Sequence, residues 1–406
     1  MNIIFIEPSF PYNQREFVRG LHAAGANVIG IGERPAEHLS GELKHWLADY
    51  IQVRSVVHEP SLLKAVKLAQ SKAWIDRLEA TVEAHIMPAA VVREQTGIPG
   101  TSTETAFLCR DKPAMKEALR KNGIPCAQST RAKTPQDARD FAAAVGYPLI
   151  IKPPAGAGAS GTYRVRDEAA LERVIRECGL GDGHAVAVEE FIEGHEGYID
   201  TLTIDGKVAH EFITHYYPNV LEAMRERWIS PQMVTTNRIN EPGYEEVREM
   251  TRKVIRILDI GTSATHMEWF FGPKGLKFSE IGCRPPGVGQ WDVYNAANEF
   301  DLYYEWASAL VHGRIASKPS RRYSAGMIAL RPERDGRITG YSGVDEIGQR
   351  YGDCIVAAHL PDPGTPTQPV EGGYMANAWM RVRHPDYDEL RRILNEIGET
   401  VHVHAA

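Results

Sequence analysis

The 406-residue sequence predicts a chain of mixed α/β and α+β class. Three observations carry that prediction: β-α-β alternation at the start, antiparallel hairpins in the middle, and a β-rich end. In the first part, NIIFIE (2–7), QREFVRGLHAAG (14–25) and ANVIGIG (26–32) alternate strand and helix patterns, which indicates a parallel sheet flanked by helices. The run from Ser61 continues this, with ATVEAHI (80–86) as a strand, and Ile98-Pro99-Gly100 marks a boundary. DKPAMKEALRKNG (111–123) is a helix with an acidic N-cap and a closing glycine.

The elements that follow are TPQDARDFAAAVG (helix), YPLIIKP (strand), a glycine loop, TYRVR (strand), DEAALERVIREC (helix) and AVAVEEFI (strand). GYIDTLTID and GKVAHEFIT form a hairpin about Asp205-Gly206, and EEVREMTRKVIRILD is an amphipathic helix. ATHMEWFF and GLKFSEIG pair antiparallel across Gly272-Pro273-Lys274-Gly275. FDLYYEWASALVHG is a further helix. After SKPSRRY the chain is β-rich with one late helix, DYDELRRILNEIG.

Composition bounds the function. Hydrophobic residues make up 43% and charged residues 24%, as in a globular protein with buried cores. A net charge of −7 argues against a nucleic-acid or membrane-surface partner. No apolar run reaches the roughly 18 residues a membrane helix needs. MNIIFIEPSF has no basic leader and reads as a first strand. The five cysteines are scattered and form no CxxC pair, so neither a disulfide framework nor a zinc site is expected. A soluble cytoplasmic protein is the expectation.

The stretch IIKPPAGAGASG (150–161) ends in G-x-G-x-x-G. With 36 glycines in the chain, about 0.3 such matches arise by accident, so the pattern alone decides little. A dinucleotide turn needs a helix after it, and here the strand-like TYRVR follows; a Walker A ending is also missing. Lys152 closes a strand with Ile150 on the same side. A point charge beside a loop of free backbone N–H groups suits a polyphosphate.

Taken in order, RDKPAMKEALRKNGIPCA, YPLIIKPPAGAGASG, VEEFIEGHE, HMEWF and SEIGCRPPG resemble the ATP-grasp enzymes, in particular their carboxylate–amine ligase branch with the L-amino acid ligases. The resemblance covers about 1–320 well and 321–406 loosely. It implies an ATP-grasp fold: a Rossmann-like N-terminal domain (1–105), a lid subdomain (106–190), a catalytic subdomain built on an antiparallel sheet (191–320) and a β-rich C-terminal region (321–406). It implies that Lys112 and Lys152 hold the ATP phosphates, with Gly158, Ser160 and Gly161 in a mobile cover over them. Glu189 would face the adenine amino group, the backbone of Glu190 and Ile192 would read the base, and Glu196 would bind the ribose. Phe278 and Ile150 would line the adenine slot.

Glu268 and Glu280 sit on strands expected to pair, and two carboxylates plus phosphate oxygens make a hard oxygen site for Mg²⁺ or Mn²⁺. Arg284 matches the arginine that faces the acyl phosphate. Many ATP-grasp enzymes carry Asn two residues after the second metal glutamate; here it is Gly282, and small residues at that place favour the L-amino acid ligase branch. His266 shares a face with Glu268. His215, Arg225 and Arg227 fall in HYYPNVLEAMRERWISP, expected to be a substrate-facing loop, while Glu83 and His85 are weaker candidates at a strand end. The implied reaction is ADP-forming carboxylate–amine ligation of small molecules, by a monomer or a homodimer. The alternatives are an ATP-grasp carboxylase, a thiol ligase or a non-catalytic ATP-binding regulator.

Overall fold

A computed structural model describes residues 1–155 and 161–406. The N-terminal unit opens with β1 (Asn2–Ile6), α1 (Gln14–Ala23), β2 (Asn27–Gly32), α2 (Gly41–Trp46), β3 (Leu47–Gln52), α3 (Glu59–Lys72), β4 (Arg77–Glu79), α4 (Glu83–Thr96) and α5 (Thr103–Leu108). Its four strands are all parallel, in the order β3-β2-β1-β4. The β1 side chains split between two cores: Ile4 and Ile6 pack towards α3 and α4, and Ile3 and Phe5 towards α1. ATVEAHI is no strand. It spans the entry and first turn of α4, where Ile86, Ala89, Ala90 and Arg93 are buried at helical spacing. The alternation of Ala80, Val82, Ala84 and Ile86 imitates a strand until Pro88 and the later periodicity are counted. Glu83 and His85 therefore stand at a helix N-terminus.

Next come α6 (Lys112–Lys121), β5 (Ser129–Ala132), α7 (Pro135–Val145), β6 (Leu149–Lys152), β7 (Tyr163–Val165), α8 (Glu168–Glu177) and β8 (Val186–Glu190). Asp111 caps α6 by accepting from Ala114 N–H, and Thr134 with Asp137 forms a reciprocal cap on α7. The four strands make an antiparallel sheet, β5-β8-β6-β7, covered by α7 and α8. β7 pairs antiparallel with β6, so strands flank the glycine loop on both sides, as the sequence predicts. Gly158 and Ser160 lie outside the described residues.

β9 (His195–Ile204), β10 (Lys207–Tyr217), α9 (Val220–Ala223), β11 (Gln232–Thr235), α10 (Glu245–Ile257), β12 (Ser263–Gly272), β13 (Gly275–Gly282), α11 (Gln290–Asn298) and α12 (Leu302–His312) follow. The β9–β10 hairpin turns at Asp205 and Gly206, both at positive φ (49° and 74°), the backbone a tight two-residue turn requires. The end of the chain holds β14 (Ser324–Leu330), β15 (Ile338–Ser342), α13 (Val344–Tyr351), β16 (Ile355–His359), β17 (Ala378–His384), α14 (Tyr387–Thr400) and β18 (His402–Ala405). It contains a second helix, α13, which the sequence hides because only Ile347 of its eight residues is buried.

One eight-stranded antiparallel sheet, β13-β12-β9-β10-β11-β14-β17-β16, runs through the middle of the molecule. Strands from the C-terminal region thus extend the sheet begun by the hairpins. α14 covers its far end through Leu390, Ile393, Leu394 and Ile397. No helix among the described residues is long and apolar enough to cross a membrane.

Candidate active site

Between the central sheet, α6, the β5–β8 sheet and the C-terminal segment lies a cavity of about 1290 Å³. That exceeds the 300–1,000 Å³ typical of a single small ligand and leaves room for more than one molecule. Alternation on β12 turns His266, Glu268 and Phe270 into it while Met267 and Trp269 enter the core. Glu268 lies directly opposite Glu280 on β13.

A β-bulge beside this pair reverses the alternation: Glu268 faces Glu280, Trp269 faces Phe278, and Ser279 is the extra residue. Glu280 and Ser279 consequently line the cavity, whereas Phe278 is fully buried in the core. Ile150 does line the cavity; Phe278, expected beside it, does not.

The charged groups are interlocked. Lys116 Nζ lies 2.6 Å and Lys152 Nζ 2.9 Å from Glu189 Oε2, and Lys112 Nζ lies 3.0 Å from Glu280 Oε2. All five side chains line the cavity. Glu189 Oε1 is buried without a hydrogen-bond partner. Burial acts to raise Glu189, but Lys116 and Lys152 outweigh it and hold the carboxyl at about 2. Burial pushes Lys116 down to about 8 against the pull of Glu189. The lysines thus keep Glu189 ionised, while burial disfavours the Lys116 ammonium that does so.

Lys116 escaped the sequence reading. It sits one helical turn after Lys112 on α6, beside the buried Met115 and Leu119. That spacing looks like a lysine stem lying along an apolar helix face, yet the whole side chain is buried at 1% exposure.

Glu280 is held at about 2, burial being outweighed by Lys112 and Lys152. Glu196, on β9, accepts from Val220 N–H at 2.7 Å. Burial, reinforced by the nearby Glu268 charge, pushes its carboxyl up to about 8. His266 Nδ1–H donates to Asp200 Oδ1 at 2.7 Å, and its Nε2 lies 3.6 Å from Glu268 Oε1. Burial opposes protonation there, but Asp200 and Glu268 raise His266 to about 9. Tyr294 O–H also donates to Asp200.

Arg284 Nε donates to Glu83 Oε2 at 2.7 Å, and Arg110 Nε donates to the other oxygen of that carboxylate at 2.9 Å. A Cβ at position 282 would meet both groups at ordinary contact distance, 3.4 Å from Arg284 Cγ and 3.7 Å from Glu83 Oε2. His85 is buried, with Nδ1 unpartnered, outside the cavity lining.

The remaining candidates divide. Glu190 lines the cavity and pairs with Lys274 Nζ at 2.5 Å; Ile192 also lines it. Arg225 lines it and donates to Thr162 O at 2.9 Å, near Gly161 at the foot of the glycine loop. Arg227 is instead ion-paired to Asp335 at 2.6 Å and is not part of the lining. His215 is not in a loop: it lies in β10, facing away from the cavity, because β10 turns Tyr216 inward. It contacts His195 at 2.8 Å and Tyr244 O–H at 2.9 Å, and burial pushes it down to about 3.

A hard cation was expected between Glu268 and Glu280. Their carboxylates face one another from adjacent strands and line the cavity beside Lys112, Lys116 and Lys152. Among the described residues no three His, Cys, Asp or Glu groups form a metal cluster. The donor set therefore suits a cation that also takes oxygens from a bound phosphate, and does not suit a protein-only cage.

This scaffold is the ATP-grasp fold, and residues 117–300 match the ATP-grasp domain family. An L-arginine-specific L-amino acid ligase of Bacillus subtilis is 29% identical over 252 residues, which is 60% of each chain. The matched region thus spans about three fifths of that ligase's length. A crystal structure of an L-amino acid ligase from Bacillus licheniformis superposes with a TM-score of 0.79 at 18% identity, covering 100% of this chain and 98% of the other. An N5-carboxyaminoimidazole synthetase from Staphylococcus aureus, solved as an ADP complex, shares the fold at TM-score 0.65 and 15% identity, over 98% and 96% of the two chains.

Proposed function

We propose that this chain is an ATP-dependent, ADP-forming carboxylate–amine ligase that joins small molecules, at least one of them an amino acid. The observation that carries the reading is the row of three lysines lining the cavity, Lys112, Lys116 and Lys152, each ion-paired there to Glu280 or Glu189. A triphosphate offers the same ammonium groups more charge and more oxygens.

In this reading the three lysines exchange Glu189 and Glu280 for phosphate oxygens. The backbone at Glu190 and Ile192 reads the base, and Glu196 meets the ribose. Gly158, Ser160 and Gly161 close over the phosphates. Glu268 and Glu280 hold Mg²⁺ or Mn²⁺, which when bound neutralises charge on the transferring phosphoryl group. Arg284, oriented by Glu83, faces the carboxylate being activated and the oxyanion formed when an amine attacks its acyl phosphate. A carboxylate oxygen takes the γ-phosphoryl group, ADP leaves, the amine attacks the acyl carbon, and phosphate departs with the C–O bond broken. No covalent enzyme intermediate is needed; positioning and charge do the chemistry.

The test is a phosphate-release screen over pairs of carboxylate and amine substrates, with the mass of each product. ADP and a condensed product should appear together and only with both substrates. ATP binding without turnover on any pair would leave an ATP-binding regulator as the better description.

A further inference from the structure

The C-terminal segment contributes its own wall to the cavity through Tyr374, Trp379 and Arg381, facing Gly289 and Asp292 at the start of α11. Arg381 is 8% exposed, and its guanidinium stacks 4.5 Å from the Trp379 ring. Asp292 Oδ2 takes Nη1 at 2.9 Å and is itself fixed through Oδ1 by Tyr303 O–H at 3.1 Å. Nη2 lies against Gly289, the residue that caps α11 in a left-handed conformation (φ 62°); any Cβ there would collide with it. Among the described residues neither Nε nor Nη2 donates a hydrogen bond, and Nε is buried without a partner. On the same wall the Tyr374 hydroxyl, in a side chain 7% exposed, is also unpartnered.

A guanidinium on the cavity wall with Nη1 ion-paired to Asp292 and Nε unpartnered retains donor capacity of the kind that matches a planar carboxylate. A buried donor left unsatisfied costs about 1–3 kcal/mol, so the arrangement is expected to gain from a ligand. The phosphates have lysines, and the carboxylate to be activated has Arg284; neither needs this fork. We propose that Arg381, set by Asp292 and Trp379 and assisted by the Tyr374 hydroxyl, binds the carboxylate of the amine-bearing substrate and thereby selects an amino acid over a simple amine. This rests on the ligase reading, and it gives the C-terminal segment the task of choosing the acceptor.

Isothermal calorimetry in the presence of ADP tests it without turnover, comparing each common L-amino acid with its own carboxamide. The full-length protein is expected to bind at least one amino acid tenfold or more tightly than its carboxamide. Arg381→Lys, which keeps charge and stem but loses the fork, should cut that preference to under threefold, and Arg381→Gln should abolish it. Thermal unfolding of each variant shows whether it is folded, and the wild-type comparison stands alone if one is not. Equal binding of acid and amide by the wild type, no binding of either in any pair, or a preference retained in Arg381→Lys overturns the assignment. A ligase that turns over amides as well as acids would sink this proposal alone; absence of ADP formation with any pair would sink the ligase reading while the binding preference is still read directly.

Discussion

Replacing Lys116 by methionine separates a binding lysine from a structural one. The side chain is 1% exposed and 2.6 Å from Glu189, so a first expectation would be a large loss of stability. Removing one partner of a buried pair typically costs about 3–5 kcal/mol, because the other charge is stranded. Here Glu189 is not stranded: Lys152 remains 2.9 Å away on the same oxygen. Lys116 is also depressed to about 8 because burial outweighs the pull of Glu189, so methionine removes a charge that is disfavoured where it sits. The expected change in unfolding free energy is therefore small, under about 1.5 kcal/mol, whereas nucleotide affinity should fall at least tenfold. Urea unfolding measured in parallel with ATP titration reads both quantities. Glu189→Gln is the contrasting variant: it strands two ammonium groups and should lose about 3–5 kcal/mol. A Lys116→Met protein that loses more than about 3 kcal/mol yet binds ATP as the wild type does would refute the reasoning.

Other consequences can be measured alongside. Glu280→Gln and Glu268→Gln should each lower kcat by about a hundredfold or more and raise the metal concentration needed for half-activity, read by ADP release. Stability without added metal should fall as pH rises from 6.5 to 8. Glu196, raised from 4.5 to about 8, binds a proton in the folded state that the unfolded chain has lost across that window. His266, raised to about 9, contributes stability that is complete below 6.5 and lost as pH rises through 9. Urea midpoints from pH 6.5 to 8, where neither His215 nor Lys116 opposes them, should slope downward, and the slope should lessen in Glu196→Gln and in His266→Gln. Arg227→Ala, breaking a pair with the 67%-exposed Asp335, should change stability by less than about 1 kcal/mol and substrate KM by less than twofold, checked by melting and steady-state kinetics.

Most of the fold was readable wherever local chemistry and global structure agree. The hairpins at Asp205-Gly206 and at 272–275 announce themselves through turn residues between alternating runs, and capped, periodic helices such as α6 and α10 do the same. The failures share a cause: the deciding partner is distant in sequence. α4 was mistaken at its start because four alternating apolar residues precede the buried helical stripe. The bulge at Ser279, which turns Phe278 into the core, depends on how β12 opposes β13 and leaves no mark in GLKFSEIG. His215 and Arg227 were grouped with Arg225 by proximity along the chain, although β10 ends only at Tyr217 and Asp335 lies far downstream. Lys116 needed Glu189, from another element, to show its direction. Arg381 had no sequence signal at all, since its significance comes from Gly289 and Asp292 on α11.

The central claim is that a substrate carboxylate is activated as an acyl phosphate in the cavity lined by Lys112, Lys116, Lys152, Glu268, Glu280 and Arg284. Oxygen-18 placed in the carboxylate substrate tests it most directly, with the released phosphate read by mass spectrometry. The account predicts that one labelled oxygen passes from the carboxylate into inorganic phosphate, with ADP as the nucleotide product. Label recovered in AMP, or product formed with unlabelled phosphate, would contradict it.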